Sequence, residues 1–106
     1  MKAYLIDPVD KLVSQITIGD GFEEIQEHLK CDLFTVACTL DNDDTLYVDD
    51  VGLISGKQQE FFMFQPYPSP LAGRGLLLGA KPDGSSADCQ TELLDCAMMV
   101  SWLSHI

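Results

Sequence analysis

The spacing of apolar and polar residues changes several times along this chain, and each change marks an element. Ala3 to Ile6 is an apolar run halted by Asp7-Pro8, and Leu12 to Ile18 is a second run rich in β-branched residues. The two read as strands of a hairpin closed around Asp7 to Lys11. From Phe22 the period lengthens: Phe22, Ile25 and Leu29 fall on one helical face, and Glu23 stands three residues after Asp20. This predicts a short helix opened by an aspartate variant of the capping box, with its apolar face against a sheet.

Leu33 to Leu40 is apolar except at Thr35 and Thr39, the pattern of a central strand buried on both sides. Thr45 to Val48, Glu60 to Phe64 and Gly75 to Ala80 are three further strands, set between Asp/Gly and Pro/Gly loops. Cys89 to Leu103 is too long for an ordinary strand and predicts a helix with Asp88 as its N-cap. The expected fold is α+β, a single domain over residues 1–106. It has one mainly antiparallel sheet of five to six short strands, packed with one short helix and a C-terminal helix.

The last element differs from an ordinary amphipathic helix. Nine of the eleven residues from Leu93 to Leu103 are apolar and they circle the axis, leaving Asp88, Glu92 and Asp95 as a narrow wet edge. A helix of this kind needs cover on more than one side. Met98, Met99 and Trp102, residue types enriched in interface cores, are expected to meet a second copy in a homodimer.

Charge changes the picture most. Seventeen acids against six bases give a formal charge of −11 on 106 residues, yet 46% of the residues are hydrophobic, so the chain should fold and carry its carboxylates as a coat. That coat repels nucleic acid and anionic membrane and attracts basic protein surfaces. Its densest stretch is Asp41-Asn-Asp-Asp-Thr-Leu-Tyr-Val-Asp-Asp50. The stretch is no EF-hand loop, since Leu46 and Gly52 occupy the places of the required glycine and glutamate. Asp41, Asp43, Asp44, Asp49 and Asp50, with Glu23, Glu24 and Glu27 on the nearby helix, are the expected partner-binding field. Such a one-signed surface can imitate duplex DNA, with roughly one negative charge per 1.7 Å of axis.

Chemistry is less well provided for. Cys31, Cys38, Cys89 and Cys96 lie in two pairs seven residues apart, not in C-x-x-C pairs, and are expected to be reduced, packed thiols in a cytoplasmic protein without a signal peptide. His28 and His105 have no nucleophile in context. No catalytic residue, metal or cofactor is expected. Three prolines at alternate positions from Pro66 to Pro70 predict a stiff extended connector, and Arg74, the only arginine, lies in Gly73-Arg-Gly75 without the pattern of a phosphate loop.

The opening Met1-Lys-Ala-Tyr-Leu-Ile-Asp-Pro, the helix Phe22-Glu-Glu-Ile-Gln-Glu-His-Leu, the acidic Leu46-Tyr-Val-Asp-Asp-Val-Gly-Leu53 and the run Pro70-Leu-Ala-Gly-Arg-Gly-Leu-Leu-Leu-Gly79 occur in an order that resembles a family of small uncharacterised proteins of bacteriophages and other mobile elements. The resemblance covers residues 1 to about 80, and the apolar end from residue 89 departs from it. It implies no enzyme activity, and it implies a life among proteins that bind and block host defence factors. The leading expectation is a non-enzymatic, cytoplasmic acidic protein that occupies the nucleic-acid-binding surface of a host defence protein, as an anti-CRISPR or anti-restriction DNA mimic. The alternative is a small-molecule module or nucleotide sponge with a pocket between subunits near Pro66 to Gly75, where Tyr67 stacks and Arg74 meets an anion.

Overall fold

A computed structural model describes residues 1–50 and 60–103. Strands β1 (Lys2–Asp7) and β2 (Leu12–Thr17) form the expected hairpin, Lys2 facing Thr17 and Asp7 facing Leu12. Helix α1 (Phe22–Leu29) follows, then β3 (Phe34–Thr39), β4 (Thr45–Asp49), β5 (Phe61–Phe64), β6 (Leu71–Ala72), β7 (Gly75–Ala80), β8 (Ser86–Ala87), α2 (Leu93–Met99) and β9 (Val100–Leu103). The main sheet runs β2-β1-β7-β4-β3, with β8 paired to the end of β7, and a second sheet runs β6-β5-β9. Every described pairing is antiparallel. The α+β class with a mainly antiparallel sheet and two helices is as the sequence predicts.

Strand alternation divides the interior in two. Tyr4, Ile6, Leu46, Val48 and Leu77 face one side of the main sheet, where they pack with Phe62, Phe64, Leu71, Cys89 and Cys96 of the second sheet and the α2 region. Ala3, Leu76 and Leu78 face the other side and meet Ile18, Ile25 and Leu29. The order of layers is therefore helix, sheet, second sheet. The central strand is β7, whose Leu76, Leu77 and Leu78 are all fully buried because both of its faces are covered. Each such side chain contributes roughly 1.5–3 kcal/mol by burial. Gly79 is required where the end of β8 closes over β7, since a Cβ there would collide with the Asp88 carbonyl oxygen.

Several expectations are corrected. The 33–40 segment is an edge strand: β3 pairs with β4, and Leu33, Thr35, Val36 and Thr39 are exposed. Its apolar run resembles that of β7, and only the strand order tells them apart. Gly21, not Asp20, is the N-cap of α1 and offers no side-chain cap; Glu24, not Glu23, reaches back, accepting the Gly19 N–H at 2.9 Å. Phe22 does not join Ile25 and Leu29 in the core and is 72% exposed. The C-terminal helix is half the expected length, because Val100–Leu103 continues as a strand against β5, with Trp102 opposite Phe62. Asp88 does not cap it; its carboxylate accepts the Lys2 N–H at 2.7 Å. The proline connector is not uniformly extended, as Gln65-Pro66 is a cis peptide in a turn.

Candidate functional site: an acidic cleft over a buried carboxylate

The turn between β3 and β4 does two jobs with neighbouring residues. Asn42 Oδ1 accepts the Asp44 N–H at 3.0 Å and Leu40 O accepts the Asp43 N–H at 2.9 Å, which folds the turn tightly and places Asp43 in the left-handed region at φ 73°. Asp44 is thereby turned inward and has no exposed surface. Its Oδ2 accepts from the Thr91 hydroxyl at 2.6 Å, the Thr91 N–H at 2.7 Å, the Gln90 N–H at 3.0 Å and the Cys89 thiol at 3.0 Å. Thr91 in turn accepts from Asn42 Nδ2 at its hydroxyl, 3.1 Å, and from the Tyr4 hydroxyl at its carbonyl, 2.6 Å. Gln90 Nε2 closes the network on Asn42 O at 3.1 Å.

Burial alone would raise the pKa of Asp44, but the donors from Gln90, Thr91 and Cys89 outweigh it and hold the carboxyl below its ordinary value of 3.8. Among the described residues no cation pairs with it. Asp44 is therefore a structural anion and not part of the exposed field expected of it. It fastens the β3–β4 turn to residues 89–91, the approach to α2.

Above that knot lies an open cleft of about 630 Å³, walled by Thr39 to Asn42 on one side and by Gln90, Glu92, Asp95, Met98 and Met99 on the other, with Pro66 at its edge. Asp41, Glu92 and Asp95 are exposed, and Met98 is 76% exposed. Acids from a turn and from the start of a helix thus share one surface with a largely exposed methionine. Sequence reasoning had both halves and did not join them. The linking signal was Asp44 with Thr91, a pair 47 residues apart with no local signature.

The other nominated acids lie elsewhere. Asp49 and Asp50 are at the far end of β4, where Asp49 helps line a separate cleft with Asp7, Lys30 and Arg74. Glu23, Glu24 and Glu27 are on α1, across the main sheet. Arg74 is not a free anion receptor: it donates to His28 O at 3.1 Å and to Asp7 Oδ2 at 3.5 Å. Tyr67 packs half-buried against the larger core cluster. Met98, Met99 and Trp102 do not share one helix; Met99 ends α2 and Trp102 belongs to β9, both half-buried against the core. His105 and the acidic-motif residues 51–53 lie outside the described residues.

The thiols are unsuited to nucleophilic work. Burial raises all four, Cys31 to about 11 and Cys96 to about 12, and for Cys89 the bond to Asp44 and that group's charge push further in the same direction. All four are free.

A three-layer α+β domain with an acidic, methionine-edged cleft is the class of protein that these features define. Residues 1–100 match a family described as a domain of unknown function, DUF3846, and the chain belongs to that family. The match extends through α2 to residue 100, so most of the apolar end from residue 89, expected to depart from the family, lies within it. No curated protein and no solved structure matches the chain. No helix among the described residues is long and apolar enough to cross a membrane.

Proposed function

We propose that this protein is a non-enzymatic, cytoplasmic binding protein of phage or mobile-element origin that blocks a host defence protein by occupying its basic, nucleic-acid-binding surface. The observation that carries the reading is the convergence of Asp41, Glu92 and Asp95 with exposed Met98 in one cleft. Carboxylates steer and orient a basic partner, and an apolar centre supplies affinity that charge alone does not. The surrounding coat extends the attraction, because of the seventeen acids all but Asp7, Glu24, Asp44 and Asp49 are exposed. Nothing in the raised thiols or the tied Arg74 favours chemistry over binding.

The test is competition. A partner isolated on the wild-type protein should lose its nucleic acid as this protein is added, with affinity falling as salt rises. Asp41→Asn, Glu92→Gln and Asp95→Asn together should weaken binding and flatten its salt dependence, while changing stability by no more than about 0.5 kcal/mol per site. Met98→Glu should weaken binding without altering that salt slope in the same way. Binding that is indifferent to salt and to all four positions would sink the proposal.

A further inference from the structure

A second cavity, of about 270 Å³, opens on the other face of the main sheet, between the start of α1 and the sheet. Three aromatic rings line it. Phe22 and Phe34 lie 5.8 Å apart between centroids at 43°, and Phe34 and Tyr47 lie 5.6 Å apart at 86°, so the rings offer π surface in three orientations around one space. Phe34 and Tyr47 also serve the core, but Phe22 does not, being 72% exposed at the first position of α1. Gly19, Gly21 and Gly84 contribute backbone to the lining. A Cβ on Gly19 would meet Glu24 Oε1 at 2.7 Å, and Gly21 is held at φ 110°.

Two charges of opposite sign stand at this space, within a field that is negative overall. Among the described residues Asp20 is the one acidic side chain in the lining, and the ammonium of Met1 donates to Ile18 O at 2.6 Å. An anionic ligand would meet Asp20 and the −11 field, against a single ammonium that Ile18 O already engages. A hard metal ion would find a single carboxylate where several oxygens are needed. A weakly hydrated organic cation, by contrast, gains from ring faces, from a carboxylate at the rim and from the long-range field together.

We propose that this cavity is an aromatic cage for an alkylated ammonium group, with Phe22, Phe34 and Tyr47 as its walls and Asp20 as its rim charge. Such a group is offered by a free choline-like metabolite or by a trimethylated lysine side chain. The site is independent of the acidic cleft, so Met98→Glu should leave it intact.

Amide-resolved NMR titration of the whole protein tests it. Tetramethylammonium should give saturable shifts at Gly19, Gly21 and Gly84, and choline should bind roughly three- to tenfold more tightly than its neutral isostere 3,3-dimethylbutanol, the range expected of a cation over ring faces. Asp20→Asn, at an exposed position, should weaken the cation and leave the isostere's weak binding largely unchanged, whereas Phe22→Ala, which removes a wall, should weaken both and the cation more. Tighter saturation by a trimethyllysine peptide than by choline would identify a modified protein tail as the source, and the reverse order a metabolite. Equal binding of cation and isostere, or no saturable shift with any of the cations, would overturn the proposal.

Discussion

Asp43 stands exposed at the tip of the β3–β4 turn, while Asp44, the next residue, has no exposed surface and accepts hydrogen bonds from Cys89, Gln90 and Thr91. The same side chain serves opposite ends. Outside, a carboxylate adds to a field that acts over several ångströms and is screened by salt. Inside, it is a short-range fastener whose strength depends on donors within 3 Å and which salt barely reaches. The two are coupled, because the inner acid fixes the turn that carries Asp41 toward Glu92 and Asp95. The surface proposed for binding is thus held in place by a residue that is itself buried.

Breaking the inner fastener should have the largest effect. Asp44→Asn keeps the shape but replaces an acceptor-only group with one that turns an NH2 toward donors, and it should cost about 3 kcal/mol or more, measured by urea denaturation. That is a large share of the 5–15 kcal/mol typical of a domain. The pH dependence sharpens the point. Because the folded pKa of Asp44 lies below 3.8, its ionisation stabilises the fold fully above the unfolded value and that contribution is lost as pH falls through the folded one. The stability gap between wild type and Asp44→Asn should therefore be constant above about pH 5 and narrow below it. A gap that stayed constant down to strong acid would mean that the carboxylate's charge is not what matters.

Removing one donor is a milder break. Thr91→Val deletes the hydroxyl that donates to Asp44 and accepts from Asn42, and should cost about 1.5–3 kcal/mol. Combined with Asp44→Asn the loss should be far from additive, since both act on one network. Simple additivity would separate the two residues and undo the description of a single knot.

Much of the frame was legible before the structure, and the reason is local. The β1–β2 hairpin, α1, β4, β5 and β7 follow from period and punctuation, which neighbouring residues set. What failed depends on distance along the chain. Leu33 to Leu40 and Gly75 to Ala80 look alike as apolar runs, yet one is an edge and the other the centre, because only β7 has β1 and β4 on either side. Val100–Leu103 reads as helix by composition and becomes a strand because β5 offers it a ladder. The aspartates of residues 41–50 read as one patch because they are close in sequence. The β4 strand carries Asp49 and Asp50 to one end of the hairpin and leaves Asp41 and Asp43 at the other, and Asp44 turns inward to donors 45 to 47 residues away.

The smallest expected effect bears on the outer half of the comparison. Asp43 holds a left-handed backbone at φ 73°, a conformation that Asp tolerates better than most residues but glycine adopts without strain. Asp43→Gly relieves that strain and removes one negative charge from a crowded turn, while the unfolded chain gains freedom that opposes the benefit. The net change should be a stabilisation of no more than about 0.5 kcal/mol, against the several kilocalories lost at the adjacent Asp44. Binding of a basic partner should weaken slightly, and only at low salt, as expected of a rim charge. A loss of stability comparable to that of Asp44→Asn would show that the tip aspartate, too, is part of the internal network, and the division of labour between the two neighbours would fall.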